Sequence, residues 1–151
     1  MELKAINGGN IYFDTNVFIY AIEDNEHYRK HIIALFSRIQ ETGCKIFTSE
    51  LTLAECLVKP FAANDEVSVK HYEEQIKNTD TLEVKSVTKT VLKDAAKNRA
   101  SYRNKLPDAI HVATAIKSEC GVFITNDSTI KTPDNLTKIV IRDLFPHSFK
   151  T

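Results

Sequence analysis

The chain has 151 residues, of which 42% are hydrophobic, 26% charged and 9% aromatic, and 20 Lys+Arg balance 20 Asp+Glu to a formal net charge of zero with histidine neutral. These values predict one compact domain over 1–151, able to bury roughly 70% of its unfolded surface, and exclude a largely disordered chain. The longest apolar run, Val17 to Ile22, is far short of the ~18–20 residues needed to cross a bilayer, so no membrane partner is expected. Met1-Glu2-Leu3-Lys4 leads into no apolar segment of the kind that directs secretion, which points to the cytoplasm. The zero balance also removes the simplest sign of a nucleic-acid partner, a globally basic surface.

Along the chain, short strand-like runs alternate with helical segments, without repeats or low-complexity tracts. Gly8-Gly9-Asn10 signals a turn, and Ile11-Tyr12-Phe13 reads as a buried strand ended by Asp14 and Thr15. Val17 to Glu23 reads as a helix. In a second helix, Tyr28, Ile32, Leu35, Phe36 and Ile39 keep one stripe apolar, and Gly43 suits its left-handed C-terminal position. Ile46-Phe47-Thr48 makes the next strand. Ser49 is placed to cap a helix from Glu50 to Lys59 that Pro60 should stop or whose end it should mark. Asp65 to Lys77 reads as a polar helix with Val69, Tyr72 and Ile76 on its apolar side, followed by a half-buried strand near 82–87. Val91, Leu92, Ala95 and Arg99 continue at helical spacing towards Tyr102. Pro107 stands at the start of another helix, with Ile110, Ala113 and Ile116 as its buried face and Gly121 closing it. Val122-Phe123-Ile124-Thr125 and Ile139-Val140-Ile141 are the last strands. Such alternation predicts an α/β domain around a mainly parallel sheet, whose ligands bind outside the carboxyl ends of the strands.

Cys44, Cys56 and Cys120 are odd in number, widely spaced and without a C-x-x-C pair, so they read as small buried thiols in a reducing compartment. The acids are more informative. Two strands end alike, one in Asp14-Thr15-Asn16 and the other in Thr125-Asn126-Asp127. If both strands are parallel, Asp14 and Asp127 share one edge of the sheet, each beside a hydroxyl and an amide. Either acid alone is well explained as a turn former or helix cap. Glu55 interrupts the mostly apolar Leu51-Thr52-Leu53-Ala54-Glu55-Cys56-Leu57 and must face solvent or a cation. Asp108 opens a helix, where the macrodipole also accounts for it. Together the four make a different pattern: carboxylates converging on one pocket repel each other unless a divalent cation binds. Hard oxygen donors without convergent Cys or His suit Mg²⁺ or Mn²⁺, and such ions support phosphodiester hydrolysis by metal-activated water.

Asp14-Thr15-Asn16 after a first strand, Glu55 on a following helix, the run Pro107-Asp108-Ala109-Ile110-His111-Val112-Ala113-Thr114-Ala115, and Thr125-Asn126-Asp127 resemble, in this order, the PIN domain. Within that superfamily the chain is most similar to the VapC-type toxin ribonucleases of prokaryotic toxin–antitoxin pairs. The resemblance runs from about Ile11 to Ile141, and the Asp-Ala-Ile-His-Val-Ala-Thr-Ala run is its most specific stretch. It implies a three-layer α/β/α fold and a Mg²⁺- or Mn²⁺-dependent endoribonuclease that acts on RNA, binds a cognate antitoxin protein and forms a homodimer. It also implies that Asp14, Glu55, Asp108 and Asp127 are the catalytic, metal-holding quartet. Asp14 and Asp108 would be the most direct ligands, Asp127 a second-metal or outer ligand, and Glu55 a ligand or water-positioning group. Asn16 and Thr125 would orient their neighbours. Many relatives carry a further Asp-Phe where Ile130-Lys131 stand here, which leaves Asp127 as the only nearby acid.

Between Lys85 and Lys105 seven basic residues face the single acid Asp94, and Lys89, Lys93 and Lys97 recur every four residues. This stretch reads either as a solvated helix face or as a phosphate-contacting strip leading to Asp108, with Arg103 and Lys105 the candidate RNA contacts. His111, one turn after Asp108, is placed either to act as a base or metal ligand or, the preferred reading because the chemistry needs no imidazole, to be a packed, hydrogen-bonded helix residue. Two other readings compete with a toxin: a PIN nuclease of RNA processing without an antitoxin, and a non-catalytic binding domain of the same fold.

Overall fold

A computed structural model describes residues 2–145, so the expected domain limits at 1 and 151 lie outside the described residues. Its five strands are β1 (Asn10–Phe13), β2 (Lys45–Ser49), β3 (Leu82–Lys85), β4 (Val122–Thr125) and β5 (Thr137–Val140). They form one sheet in the order β3-β2-β1-β4-β5, and every pairing is parallel. The expectation of a mainly parallel sheet is therefore met by a wholly parallel one. β1 lies in the middle. The chain winds outwards from it through β2 to β3, then returns to lay β4 on its other side, so the strand order reverses between β1 and β4. Crevices at such reversals are where open α/β sheets bind their ligands.

Both faces of the sheet are covered, by six α-helices: α1 (Thr15–Ile22), α2 (Arg29–Thr42), α3 (Glu50–Ala62), α4 (Glu66–Gln75), α5 (Lys89–Tyr102) and α6 (Leu106–Lys117). Alternation along each strand divides the core. Ile11, Phe13, Ile46, Val122 and Ile124 pack with Val17 and Phe18 of α1, Ile32, Leu35 and Ile39 of α2, Cys56 of α3 and Tyr72 of α4. Tyr12, Phe47 and Phe123 point the other way, onto Val112 and Ala115 of α6. Helix α5 packs on α6 through Val91 and Ala95 against Ala109, Ile110 and Ala113. The result is the three-layer α/β/α arrangement. Tyr12 and Phe123 are register partners on β1 and β4, and their rings stack at 5.2 Å between centroids.

Several boundaries differ from the sequence expectation. Pro60 does not stop α3, which continues to Ala62. Proline in a last turn removes only the bond its own N–H would have made to the Cys56 carbonyl, and the helix closes beyond it with Ala63 N–H on the Lys59 carbonyl. Gly121 does not close α6, which ends at Lys117 with Ser118 as its cap; Gly121 begins the run into β4, its N–H bonded to the Asn10 carbonyl. Ile116 is 41% exposed, because α6 buries its whole width from Ala109 to Ala115 between the sheet and α5 and leaves only its end outside. Helix α4 stops at Gln75, two residues short of Lys77, and β5 ends at Val140 with Ile141 opening a 3₁₀ turn. Gly43 does cap α2 in the left-handed region, at φ 69°. The three cysteines are buried and unpaired as disulfides, and burial pushes the Cys56 and Cys120 thiols up to about 12.

Phe123 is fully buried against Tyr12 in the middle of the sheet. Phe123→Ala should lower the unfolding free energy by about 3–5 kcal/mol, measured by urea titration of the purified protein.

Candidate metal centre

The parallel register brings the two strand-end motifs together. Phe13 pairs with Ile124, so the residues that follow, Asp14 and Thr125, emerge side by side. Asp14 N–H donates to the Ile124 carbonyl, and its side chain caps α1 by accepting Thr15 N–H on Oδ1 at 2.7 Å. The Thr125 hydroxyl, fully buried, donates to Asp14 Oδ2 at 2.7 Å. Asn16 Oδ1 accepts the Asn126 N–H at 3.1 Å, while its Nδ2 lies 3.5 Å from Thr125 Oγ1. Of the two expected supporting residues, Thr125 at the end of β4 bonds Asp14 directly, and Asn16 reaches from α1 to the Asn126 backbone. Asn126 is held in turn: Arg142 N–H donates to its Oδ1 at 3.0 Å, and its Nδ2 donates to the Tyr20 hydroxyl at 3.0 Å.

Glu55 projects from α3 with its side chain about one-third exposed. Its Oε1 accepts the Thr15 hydroxyl at 2.7 Å and His111 Nε2 at 2.6 Å. Burial works to raise the Glu55 carboxyl, but the His111 bond and charge and the Thr15 hydroxyl outweigh it and hold the group below its ordinary value. His111 is buried on α6, and its Nδ1 meets the Tyr12 hydroxyl at 2.7 Å. Since Glu55 offers only acceptors there, Nε2 carries a hydrogen and Tyr12 donates to Nδ1 whenever the ring is neutral. Burial lowers His111, yet Glu55, Asp14 at 3.6 Å and Asp108 together win and raise it. The Tyr12 phenol is driven well above its ordinary 10.0 by burial and then by the Asp14 charge, against the hydroxyls of Thr48 and Thr52, so it remains a donor. His111 is the packed, hydrogen-bonded helix residue expected, and its bond goes to one of the four acids.

Asp108 sits in the first turn of α6, one turn before His111. Burial first, then the carboxylates of Asp14, Asp127 and Glu55, push it up to about 6 against the opposing pull of His111. The charges of the other three acids thus all act on Asp108. Asp127, at the end of β4, is tied into its own turn: Oδ1 accepts the Thr129 N–H at 2.9 Å and the Thr129 hydroxyl at 2.6 Å. Those bonds, with the positive charges of Lys105 and Arg142, overcome partial burial and hold it below the usual carboxylate range.

Among the described residues, no group of three or more His, Cys, Asp or Glu side chains is already assembled to hold a metal ion. Three of the acids already accept hydrogen bonds from the protein: Asp14 from Thr15 and Thr125, Glu55 from Thr15 and His111, and Asp127 from Thr129. The donor set nevertheless fits a hard divalent cation. It is all carboxylate oxygen, and each carboxylate has about four acceptor positions, of which Asp14 uses two. Its mutual repulsion, visible in Asp108, is what a cation relieves. The imidazole of His111 is held between Tyr12 and Glu55.

Of the expected RNA contacts, Lys105 is exposed as the N-cap of α6 and its charge acts on Asp127. Arg103 is exposed at the left-handed end of α5, φ 63°. Lys89, Lys93 and Lys97 are exposed along α5, as a solvated helix face requires. Sequence reasoning missed Tyr12 and Arg142. The signal for Tyr12 was present: alternation puts residue 12 on the face opposite residues 11 and 13, and a buried tyrosine hydroxyl needs a partner. Arg142 carried none, since it lies beyond the last motif.

The sequence matches the PIN domain family model over residues 11–136. No curated protein matches it. Among solved structures, the fold resembles a chain in the crystal structure of VapBC2 from Rickettsia felis bound to a DNA fragment from their promoter. The TM-score is 0.68 at 18% identity, covering 87% of this chain and 98% of that one. It also resembles a chain of DNA-bound VapBC from Salmonella typhimurium, with a TM-score of 0.61 at 18% identity and coverages of 87% and 98%. A toxin–antitoxin complex from Klebsiella pneumoniae gives 0.58 at 19%, with 84% and 95% covered. At these identities the likeness is one of fold.

The Tyr12–His111 bond lies wholly inside the protein. Tyr12→Phe should leave Nδ1 without its partner and cost about 1–3 kcal/mol of stability, measured by urea unfolding in EDTA.

Proposed function

Because the chain belongs to the PIN domain family, we propose that it is a Mg²⁺- or Mn²⁺-dependent endoribonuclease, the toxin of a VapBC-type toxin–antitoxin pair. In this reading it works as a single cytoplasmic nuclease domain and as a homodimer. The observation that carries the proposal is the meeting of Asp14, Glu55, Asp108 and Asp127 at the strand-order reversal between β1 and β4: His111 Nε2 stands 2.6 Å from Glu55 Oε1 and 3.6 Å from Asp14 Oδ1, and burial, with the charges of Asp14, Asp127 and Glu55, raises Asp108 to about 6. The antitoxin partner is supported by the solved structures of similar fold, which are described as VapBC and toxin–antitoxin complexes. No helix among the described residues is long and apolar enough to cross a membrane.

In this proposal Asp14 and Asp108 hold the cation most directly, Asp127 lies on the side of a second ion or outer contact, and Glu55 binds or aligns water. A bound divalent ion supplies Lewis acidity to the phosphate and makes water a stronger nucleophile. The chain's own residues do the positioning. Thr125 and the backbone N–H of Thr15 fix the two oxygens of Asp14. Thr15 and His111 hold one oxygen of Glu55 and leave Oε2 for water or the ion. Tyr12 keeps the His111 ring turned so that Nε2–H faces Glu55. Lys105 and Arg142, whose charges already act on Asp127, attract the RNA backbone to that side of the crevice. Arg103 is the further candidate on the same turn.

Purified protein should cut total cellular RNA in Mn²⁺ and stop in EDTA, with cleavage sites found by mapping the new ends. Asp14→Asn and Asp108→Asn should each lose about 100-fold or more of that cleavage while retaining native circular dichroism. Unchanged cleavage by both variants would overturn the assignment. A small open reading frame beside the gene, whose product co-purifies with this chain and suppresses cleavage, is expected for the antitoxin.

A further inference from the structure

The turn that delivers Asp108 is fastened to the loop that carries Asp127 by one buried amide. Helix α5 ends at Tyr102, Arg103 turns the chain through the left-handed region at φ 63° and ψ 23°, and α6 begins at Leu106. Of the two residues between, Asn104 is 5% exposed. Its Oδ1 accepts the backbone N–H of Lys131 at 2.9 Å, and its Nδ2 donates to the backbone carbonyl of Lys131 at 2.9 Å. The second Nδ2 hydrogen goes to Oδ1 of Asn98, itself buried, at 2.9 Å. The carbonyl of Asn104 accepts Arg99 Nη1 at 2.8 Å. The Lys131 N–H can only donate, so the orientation of the amide follows from the backbone. Asn104 therefore pairs with both backbone groups of Lys131, as one strand residue pairs with another across a ladder.

We propose that Asn104 is a positioning residue for the metal centre, setting the separation of Asp108 from Asp127. This rests on the metal reading of the site given above. Asp108 follows Asn104 by four residues, about one turn into α6, and Asp127 precedes Lys131 by four. The Asp127 carboxylate is bonded to Thr129 within its own loop, so it travels with that loop. The loop is supported elsewhere: Lys138 Nζ donates to the carbonyls of Ser128 and Ile130 at 2.9 and 2.7 Å, and Ile130 packs on Val112 and Ala115 of α6. These contacts keep it folded over the sheet. The amide adds a directional bond between the two acid-bearing segments, which packing alone does not supply. Alanine removes that bond entirely, and no other side chain of this length offers both an acceptor and two donors.

The test is a double-mutant cycle read by Mn²⁺ binding, with free Mn²⁺ followed by electron paramagnetic resonance. Wild type, Asn104→Ala, Asp127→Asn and the double variant are titrated, each shown to fold by its thermal melt. Asn104→Ala should weaken Mn²⁺ about 10-fold, and in the Asp127→Asn background it should weaken it no further. Equal loss in both backgrounds, or no loss in either, overturns the positioning role. If Asn104→Ala does not fold, Asn104→Ser takes its place; if neither folds, the amide is a folding element and the proposal falls. Wild type that binds no Mn²⁺ overturns the metal reading itself, a result separate from an intact site indifferent to Asn104.

Discussion

The charges of Asp14 at the end of β1, Glu55 on α3 and Asp127 at the end of β4 all act on Asp108 of α6, and the polar residues around these four carboxyl groups are arranged against that like-charge crowding. Asp108 registers it directly, since burial and its three neighbours raise it to about 6. Folding such a cluster costs free energy, because each added like charge disfavours ionisation of the rest. The chain offsets part of this with His111, drawn to Glu55 and Asp14, and with Lys105 and Arg142 on the side of Asp127.

That arrangement depends on the parallel register of β1 and β4. Slipping one strand by a residue would turn every side chain to the opposite face, separating Asp14 from Thr125 and removing Tyr12 from the α6 side. The stacked pair Tyr12–Phe123 occupies that face, and its packing and the polar site are therefore linked. From Tyr12 a hydrogen-bonded chain runs outward through His111 to Glu55 and Thr15. The same residue is core at its ring and site at its hydroxyl. Buried networks of this kind are stable only when each member is satisfied, so the interior of the sheet and the orientation of Glu55 are one design.

Much of this was legible along the chain. Alternating strands and helices indicated a parallel α/β sheet, and all five strands and six helices lie close to the expected segments. Asp14, Asn16, Thr125 and Asp127 stand in short motifs at strand ends, where chain direction alone decides which edge they reach. The errors were local. Pro60 carries a local stop signal, but the packing that holds the last turn of α3 overrides it. Gly121 was read as a cap although Ser118 already ends α6 and Glu119 takes the left-handed turn, φ 59°. Ile116 looked buried because spacing gives a face but not the width of the layer that covers it.

The linear order of residues determined the chemistry available: four carboxylates, each beside a strand end or on a helix. It determined the layer order too, because hydrophobic period and turn residues act over a few neighbours. Only the tertiary structure decided which groups meet. Tyr12 reaches His111 across 99 positions, Thr125 reaches Asp14 across 111, and Asn104 reaches Lys131 across 27. Such bonds leave little trace in a sequence, since a hydroxyl or an amide is chosen by the partner that folding brings to it, and that partner lies on another element.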